Sequence, residues 1–163
     1  MKKIMPIIIV LMLVFCFAGC EDVTIKEYSK GSMSITVPVE WKVNYNEAIN
    51  EILLEDTGEE GTGTVIKFQL LGENIEPEKA ATNFEGTMDT IPYEEIEARN
   101  IGGIDLRGVT FSYSGHDYIM YGGNSFEGKQ VYVTILDIKE NTAEGELPIE
   151  EEVYNIIDTL KFV

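Results

Sequence analysis

Residues 130–138 constrain the fold more than any other stretch of the chain. Val131, Val133 and Ile135 fall on one side of an extended backbone, and Tyr132, Leu136 and Ile138 fall on the other. Successive side chains of a strand point to opposite faces, so this strand has no side that tolerates water and belongs to a sheet covered on both faces. Residues 104–113 and 117–125 are strand-like too, and Ser114-Gly115-His116 and Phe126-Glu127-Gly128-Lys129 separate the three runs. Short glycine-bearing gaps join antiparallel neighbours, and the three runs read as a meander. In the first run the apolar side changes from Ile104 and Leu106 to Val109, Phe111 and Tyr113 across Gly108, which predicts a bulge there.

Upstream, Met33, Ile35 and Val37 alternate with Ser32, Ser34 and Thr36 until Pro38, and Trp41 follows three residues later as a packing plug. Residues 52–55 and 64–71 read as a hairpin with a loose acidic tip containing Gly58, Gly61 and Gly63. Residues 44–50 fit helix and loop equally. Pro77 suits a first helical turn, and Ala80, Phe84 and Met88 then recur every four residues, although Gly86 weakens that helix. Residues 93–100 alternate Ile96 and Ala98 with acids, as a strand closed by Gly102-Gly103. Pro148 opens a second helix, with Glu150, Glu151 and Glu152 at its positive end and Ile149, Val153, Ile156, Ile157 and Leu160 as its apolar stripe. Two helices apart in sequence and a sheet apolar on both sides predict an α+β fold, an antiparallel sheet covered by helices on both faces.

The amino terminus carries a different signal. Lys2 and Lys3 precede an apolar stretch from Ile4 to Phe17, and Ala18-Gly19 lead directly to Cys20. This is the anatomy of a secretory signal. In a helix that stretch rises only about 21 Å, short of the roughly 30 Å hydrocarbon core, which disfavours a permanent span. The segment resembles the lipobox of bacterial lipoproteins, whose cysteine is acylated and becomes the first residue. The resemblance implies a signal peptide over 1–19, a lipidated amino terminus and tether over 20–30, and a folded domain over 31–163. It also implies a protein held at the extracytoplasmic face of the cell membrane by Cys20. Cys16 leaves with the signal and Cys20 is committed to a thioether, so no thiol remains for a disulfide or a metal.

Charge narrows the partners. The chain has 29 acidic and 12 basic residues, a net charge of −17, and losing Lys2 and Lys3 makes the remainder more negative still. Nucleic acid, a dense polyanion, is excluded as a partner. Anionic lipid heads repel such a domain within a Debye length of about 8 Å, so it is expected to stand off the bilayer on its tether.

Residues 31–41, Gly-Ser-Met-Ser-Ile-Thr-Val-Pro-Val-Glu-Trp, then Ile101-Gly102-Gly103 before the meander and residues 156–162 at the close, are similar to the PsbP/Mog1 superfamily. That resemblance implies an α/β/α sandwich and an accessory or binding role, without implying any particular partner surface.

Candidate chemistry is sparse. His116, the only histidine, sits in a turn beside Gly115 and Asp117, where polar residues belong for conformational reasons. Asp105 and Arg107 share a strand face and suit a surface ion pair. Asp56, Glu59 and Glu60, with Thr62, offer oxygens to calcium, but Gly58 at the third position breaks the EF-hand pattern. Tyr113, Tyr118, Tyr121 and Tyr132 fall on adjacent strands and either line a ligand cleft or form core beneath a helix. Gly122-Gly123 beside them either leave room for a ligand or another backbone, or record a bulge. The expectation is a non-enzymatic binding or accessory module for an envelope protein or small ligand, without a cofactor. The alternatives are an envelope hydrolase using acids such as Glu94, Glu95 and Glu97, and a weak calcium-responsive module.

Overall fold

The computed structural model describes residues 25–56, 63–136 and 148–163, with residues 148–150 described in backbone only. The elements run β1 (Ile25–Lys30), β2 (Met33–Pro38), β3 (Trp41–Asn46), a 3-10 turn (Glu47–Ile49), β4 (Glu51–Asp56), β5 (Val65–Leu71), α1 (Pro77–Met88), β6 (Glu94–Ile101), β7 (Ile104–Tyr113), β8 (His116–Phe126), β9 (Lys129–Leu136), α2 (Pro148–Asp158) and β10 (Lys161–Phe162). Seven strands form one sheet in the order β3-β4-β5-β9-β8-β7-β6, and β1-β2-β10 form a second. Every pairing is antiparallel. The large sheet is thus two meanders, β3-β4-β5 and β6-β7-β8-β9, joined where β5 meets β9.

The both-faced run does occupy the middle of this sheet. Val131, Val133 and Ile135 enter the main core with Met33, Ile35 and Val37 of β2 and with Val153, Ile156 and Ile157 of α2. On the opposite face Tyr132 packs with Phe84 and Met88 of α1 and with Val109 and Phe111 of β7. Trp41 is 2% exposed within the main core.

The fold is nevertheless mostly β, and the expectation of helices covering both faces is overturned. Strands lie about 4.8 Å apart, so seven of them extend roughly 29 Å, whereas a helix with its side chains is only about 10 Å wide. Two short helices cannot cover two such faces. One face is closed mainly by the β1-β2-β10 sheet, with α2 beside it. On the other, α1 lies across β8 and β9 and reaches β7, while Lys42, Glu55, Lys67 and Gln69 on β3, β4 and β5 remain partly or fully exposed. The second sheet gains a strand that sequence periodicity did not show. Residues 25–30, placed in the tether, pair with β2 from Ile25↔Pro38 to Lys30↔Met33. Residues 44–46 complete β3, and Asn46 Oδ1 then accepts from the Ala48 N–H at 3.1 Å to cap the 3-10 turn.

One glycine of the meander, Gly108, also differs from expectation. β7 passes through Gly108 in unbroken register with β8, and the irregularity lies in β6, between Ile96 and Arg99. The two apolar stretches of β7 are simply its two faces, Leu106 in the main core and Val109 and Phe111 under α1. Gly108 is small because a Cβ there would stand 2.7 Å from Ile96 Cγ1 and 2.8 Å from Tyr121 Cε1. Gly122-Gly123 do form a bulge, between Tyr121 and Asn124. Into the space they leave fits the Phe84 ring, 1% exposed.

Candidate functional site

The small sheet and α2 flank an open cleft of about 550 Å³. Alternation along β2 sends Met33, Ile35 and Val37 into the core, so Thr36 and Pro38 point the other way. Directly opposed residues of an antiparallel pair share a face, and Ile25 therefore stands beside Pro38. Ile25, Thr36 and Pro38 make one wall, and Asn155, Ile156 and Thr159 make the other. Glu40, Glu151 and Glu152 share the lining, which includes no basic residue among the described residues.

Hydrogen bonds fix these walls. The Thr36 N–H donates to Thr159 Oγ1 at 2.9 Å, and that hydroxyl lies 3.0 Å from the Thr36 carbonyl and 2.7 Å from the Ile156 carbonyl. The end of α2 is thereby clamped to the middle of β2. Nearer the start of α2, Trp41 Nε1 donates to Glu152 Oε1 at 3.2 Å. Lys26 Nζ donates to the carbonyls of Val39 and Trp41, tying β1 to the turn that follows β2. A preformed concave surface with an apolar floor and a few fixed polar groups has the general character of a small-ligand site.

The candidate tyrosines do not converge on this cleft. Tyr118 stacks on Phe111, with ring centroids 4.9 Å apart. Tyr132 tilts against Phe84 at 6.1 Å, and its hydroxyl accepts from Gln130 Nε2 at 2.6 Å. Burial pushes the Tyr132 phenol above its ordinary value, partly offset by a hydrogen bond with Thr87. Both belong to the α1 side of the large sheet. Tyr121 is on the opposite face, in the main core, with its hydroxyl 3.3 Å from that of Tyr154. Tyr113 is 57% exposed where β7 ends. A second cleft, of about 540 Å³, lies beside Phe111 between residues 92–94 and 110–112.

Arg107 engages Glu85 at 2.7 Å and Glu95 at 2.8 Å, while Asp105 accepts from Asn100 at 2.7 Å, so the expected Asp105–Arg107 pair is replaced by two others. His116 faces Tyr113 across a tight turn in which Ser114 and Gly115 both take positive φ, 54° and 83°. Asp56 ends β4, and its N–H donates to the Thr64 carbonyl at 3.1 Å. Glu59, Glu60 and Cys20 lie outside the described residues. Among the described residues no group of three or more His, Cys, Asp or Glu side chains is placed to hold a metal ion. No described helix is long and apolar enough to cross a membrane. Sequence reasoning missed the β2–α2 cleft because its walls lie more than a hundred residues apart, and the Thr36–Thr159 clamp has no local signature.

No protein-family model matches the chain, so the PsbP/Mog1 resemblance finds no support there. No curated protein matches it either. Among solved structures, a protein from Bacteroides thetaiotaomicron superposes with a TM-score of 0.54 at 14% identity, over 85% of this chain and 48% of that one. The chain therefore spans about half the length of that protein. LpqN of Mycobacterium tuberculosis, described as involved in cell envelope biogenesis, gives a TM-score of 0.48 at 16% identity, over 87% of this chain and 93% of that one. At 14% identity the Bacteroides likeness concerns the fold alone: the chain shares a sheet-rich architecture with it.

Proposed function

We propose that the protein is a lipid-anchored component of the cell envelope, on the extracytoplasmic face, and works as a non-enzymatic binding module for a small, largely apolar ligand held between β2 and α2. One observation carries the reading. Ile25, which lines the cleft, is five residues from Cys20, so the binding surface lies at the end of the domain nearest the anchor. The basic start, the apolar stretch 4–17 and the Ala18-Gly19-Cys20 sequence support the anchor. The clamp through Thr159 and the apolar side chains Ile25, Val37, Pro38 and Ile156 support a ligand site.

Intact-mass measurement of protein extracted from membranes tests the anchor. An acylated Cys20 at the amino terminus is expected, and an unmodified amino terminus refutes it. A thermal-shift screen of small apolar compounds, repeated with Asn155→Trp to fill the cleft, tests the site. Compounds that stabilise the parent protein are expected to lose their effect in the variant. Stabilisation that persists unchanged in Asn155→Trp moves the site elsewhere.

A further inference from the structure

Two of the large apolar side chains that the described residues leave exposed stand together at the end of the domain from which the chain leaves for Cys20. Ile25 is 60% exposed and Val39 is 46% exposed. Their adjacency follows from the register, because Ile25 opposes Pro38 and Val39 is the next residue in the turn into β3. Nothing in the described fold covers them, and Ile25 also lines the cleft. The charges nearest in sequence are of opposite sign, Lys26 and Glu40.

From these observations we infer that this tip, Ile25 with Val39, rests in the interfacial layer of the bilayer that holds Cys20, so that the cleft opens at the membrane surface. The inference rests on the lipid anchor proposed above. Five Cα steps separate Cys20 from Ile25, a reach of at most about 18 Å. The anchor thus delivers this end of the domain, and no other, to the headgroups. Contact within a tethered molecule needs far less affinity than contact from solution, since a short tether sets an effective concentration in the millimolar range. Two exposed aliphatic side chains are enough to orient a domain already held so close. The tip suits a zwitterionic surface rather than an anionic one, because Glu40, Glu151 and Glu152 line the adjoining cleft. A ligand dissolved in the membrane would then enter the cleft without crossing bulk water.

The acylated protein that begins at Cys20, with Cys16 removed in the signal, lacks a free thiol, so one introduced cysteine carries an environment-sensitive fluorophore at a chosen place. Val39→Cys labels the tip. Val163→Cys labels the opposite end of the small sheet, where the Val163 N–H donates to Ser32 and the side chain is 68% exposed. Each protein is placed in phosphatidylcholine vesicles whose chains carry bromine as a quencher. The Val39→Cys label is expected to shift to shorter wavelength and lose most of its emission, and the Val163→Cys label to do neither. Equal, unquenched emission from both overturns the contact. Should Val39→Cys fail to fold, as judged from Trp41 emission, Ile25→Cys takes its place. Parent protein that itself takes up the fluorophore at Cys20 shows that the anchor is absent, which overturns the anchoring and this contact together.

Discussion

Replacing Gly122 by alanine is the sharpest test of how the α1 side of the sheet is packed. The added Cβ would lie 2.6 Å from Phe84 Cδ2, 2.7 Å from Phe84 Cε2 and 3.2 Å from Tyr132 Cδ1. Phe84 is 1% exposed and cannot swing away into solvent. Its ring must instead displace α1 or distort the bulge at Tyr121–Asn124. Overpacking of a closed core costs about 1–3 kcal/mol, and two sub-van-der-Waals contacts with a trapped ring place Gly122→Ala toward the upper end. At roughly 2–4 °C per kcal/mol for a domain of this size, melting should fall by about 5–10 °C. Urea titration followed through Trp41, the sole tryptophan, measures the same quantity. Phe84→Leu removes the clashing ring atoms, so in the double variant the Gly122→Ala penalty should shrink by about 1–2 kcal/mol. Gly86→Ala, on the exposed side of α1 with nothing within 4 Å of a Cβ, should instead stabilise by about 0.5–1 kcal/mol. A Gly122→Ala protein as stable as the parent, or a cycle without coupling, would refute the packing described for Phe84.

The clamp on α2 gives a second expectation. Thr159→Val leaves the Thr36 N–H without its 2.9 Å acceptor and should cost about 1–3 kcal/mol by urea titration, with Thr159→Ser restoring most of it. Arg99, bidentate to Asp158 at 3.0 and 2.7 Å and 4.4 Å from the Tyr154 ring centroid, lies in a partly exposed pair. Arg99→Lys should cost less than about 1 kcal/mol, and a penalty that persists in high salt would count against this. Tyr132 adds a pH dependence. Its folded phenol is raised above the ordinary 10.0, so the neutral form is favoured in the native state. The associated stability is fully present below the unfolded value and is lost as pH rises through the folded one. Tyr132→Phe should flatten the decline of stability above pH 10, and an identical decline in the variant would exclude this residue as its source.

The legible parts of the fold were those in which one segment carries its own pattern. The both-faced alternation of Val131–Leu136 announced a central strand, and the four-residue recurrence of Ala80, Phe84 and Met88 announced α1 and its buried face. β1 was illegible because only Tyr28 and the Lys26 stem turn inward, and an edge strand of mixed charge has no apolar period to detect. Missing β1 removed the second sheet, and helices were left as the only apparent cover for the large one. Gly108 misled for a related reason: two apolar faces of a straight strand look, in one dimension, like one face that switches. The cleft was beyond sequence reasoning altogether, since the register Ile25↔Pro38 and the contact of Thr159 with Thr36 are tertiary facts. The anchor proposed at Cys20 rests on the sequence alone, since Cys20 lies outside the described residues.

The pairing of β10 with β2 has a kinetic consequence. Lys161 meets Ser34 and Phe162 meets Met33, across almost the whole described chain, whereas β6, β7, β8 and β9 join through turns of a few residues. Local hairpins close in microseconds, but ends so far apart in sequence find each other late, after the loop-closure entropy has been met. The meander can form while the chain is still emerging from whatever machinery delivers it. The β1-β2 hairpin is equally local, and only the third strand of the small sheet must wait, arriving with residues 161–162. A chain stopped before Lys161 should keep that hairpin but leave the β2 edge at Met33 and Ser34 unpaired, open to pairing with its neighbours.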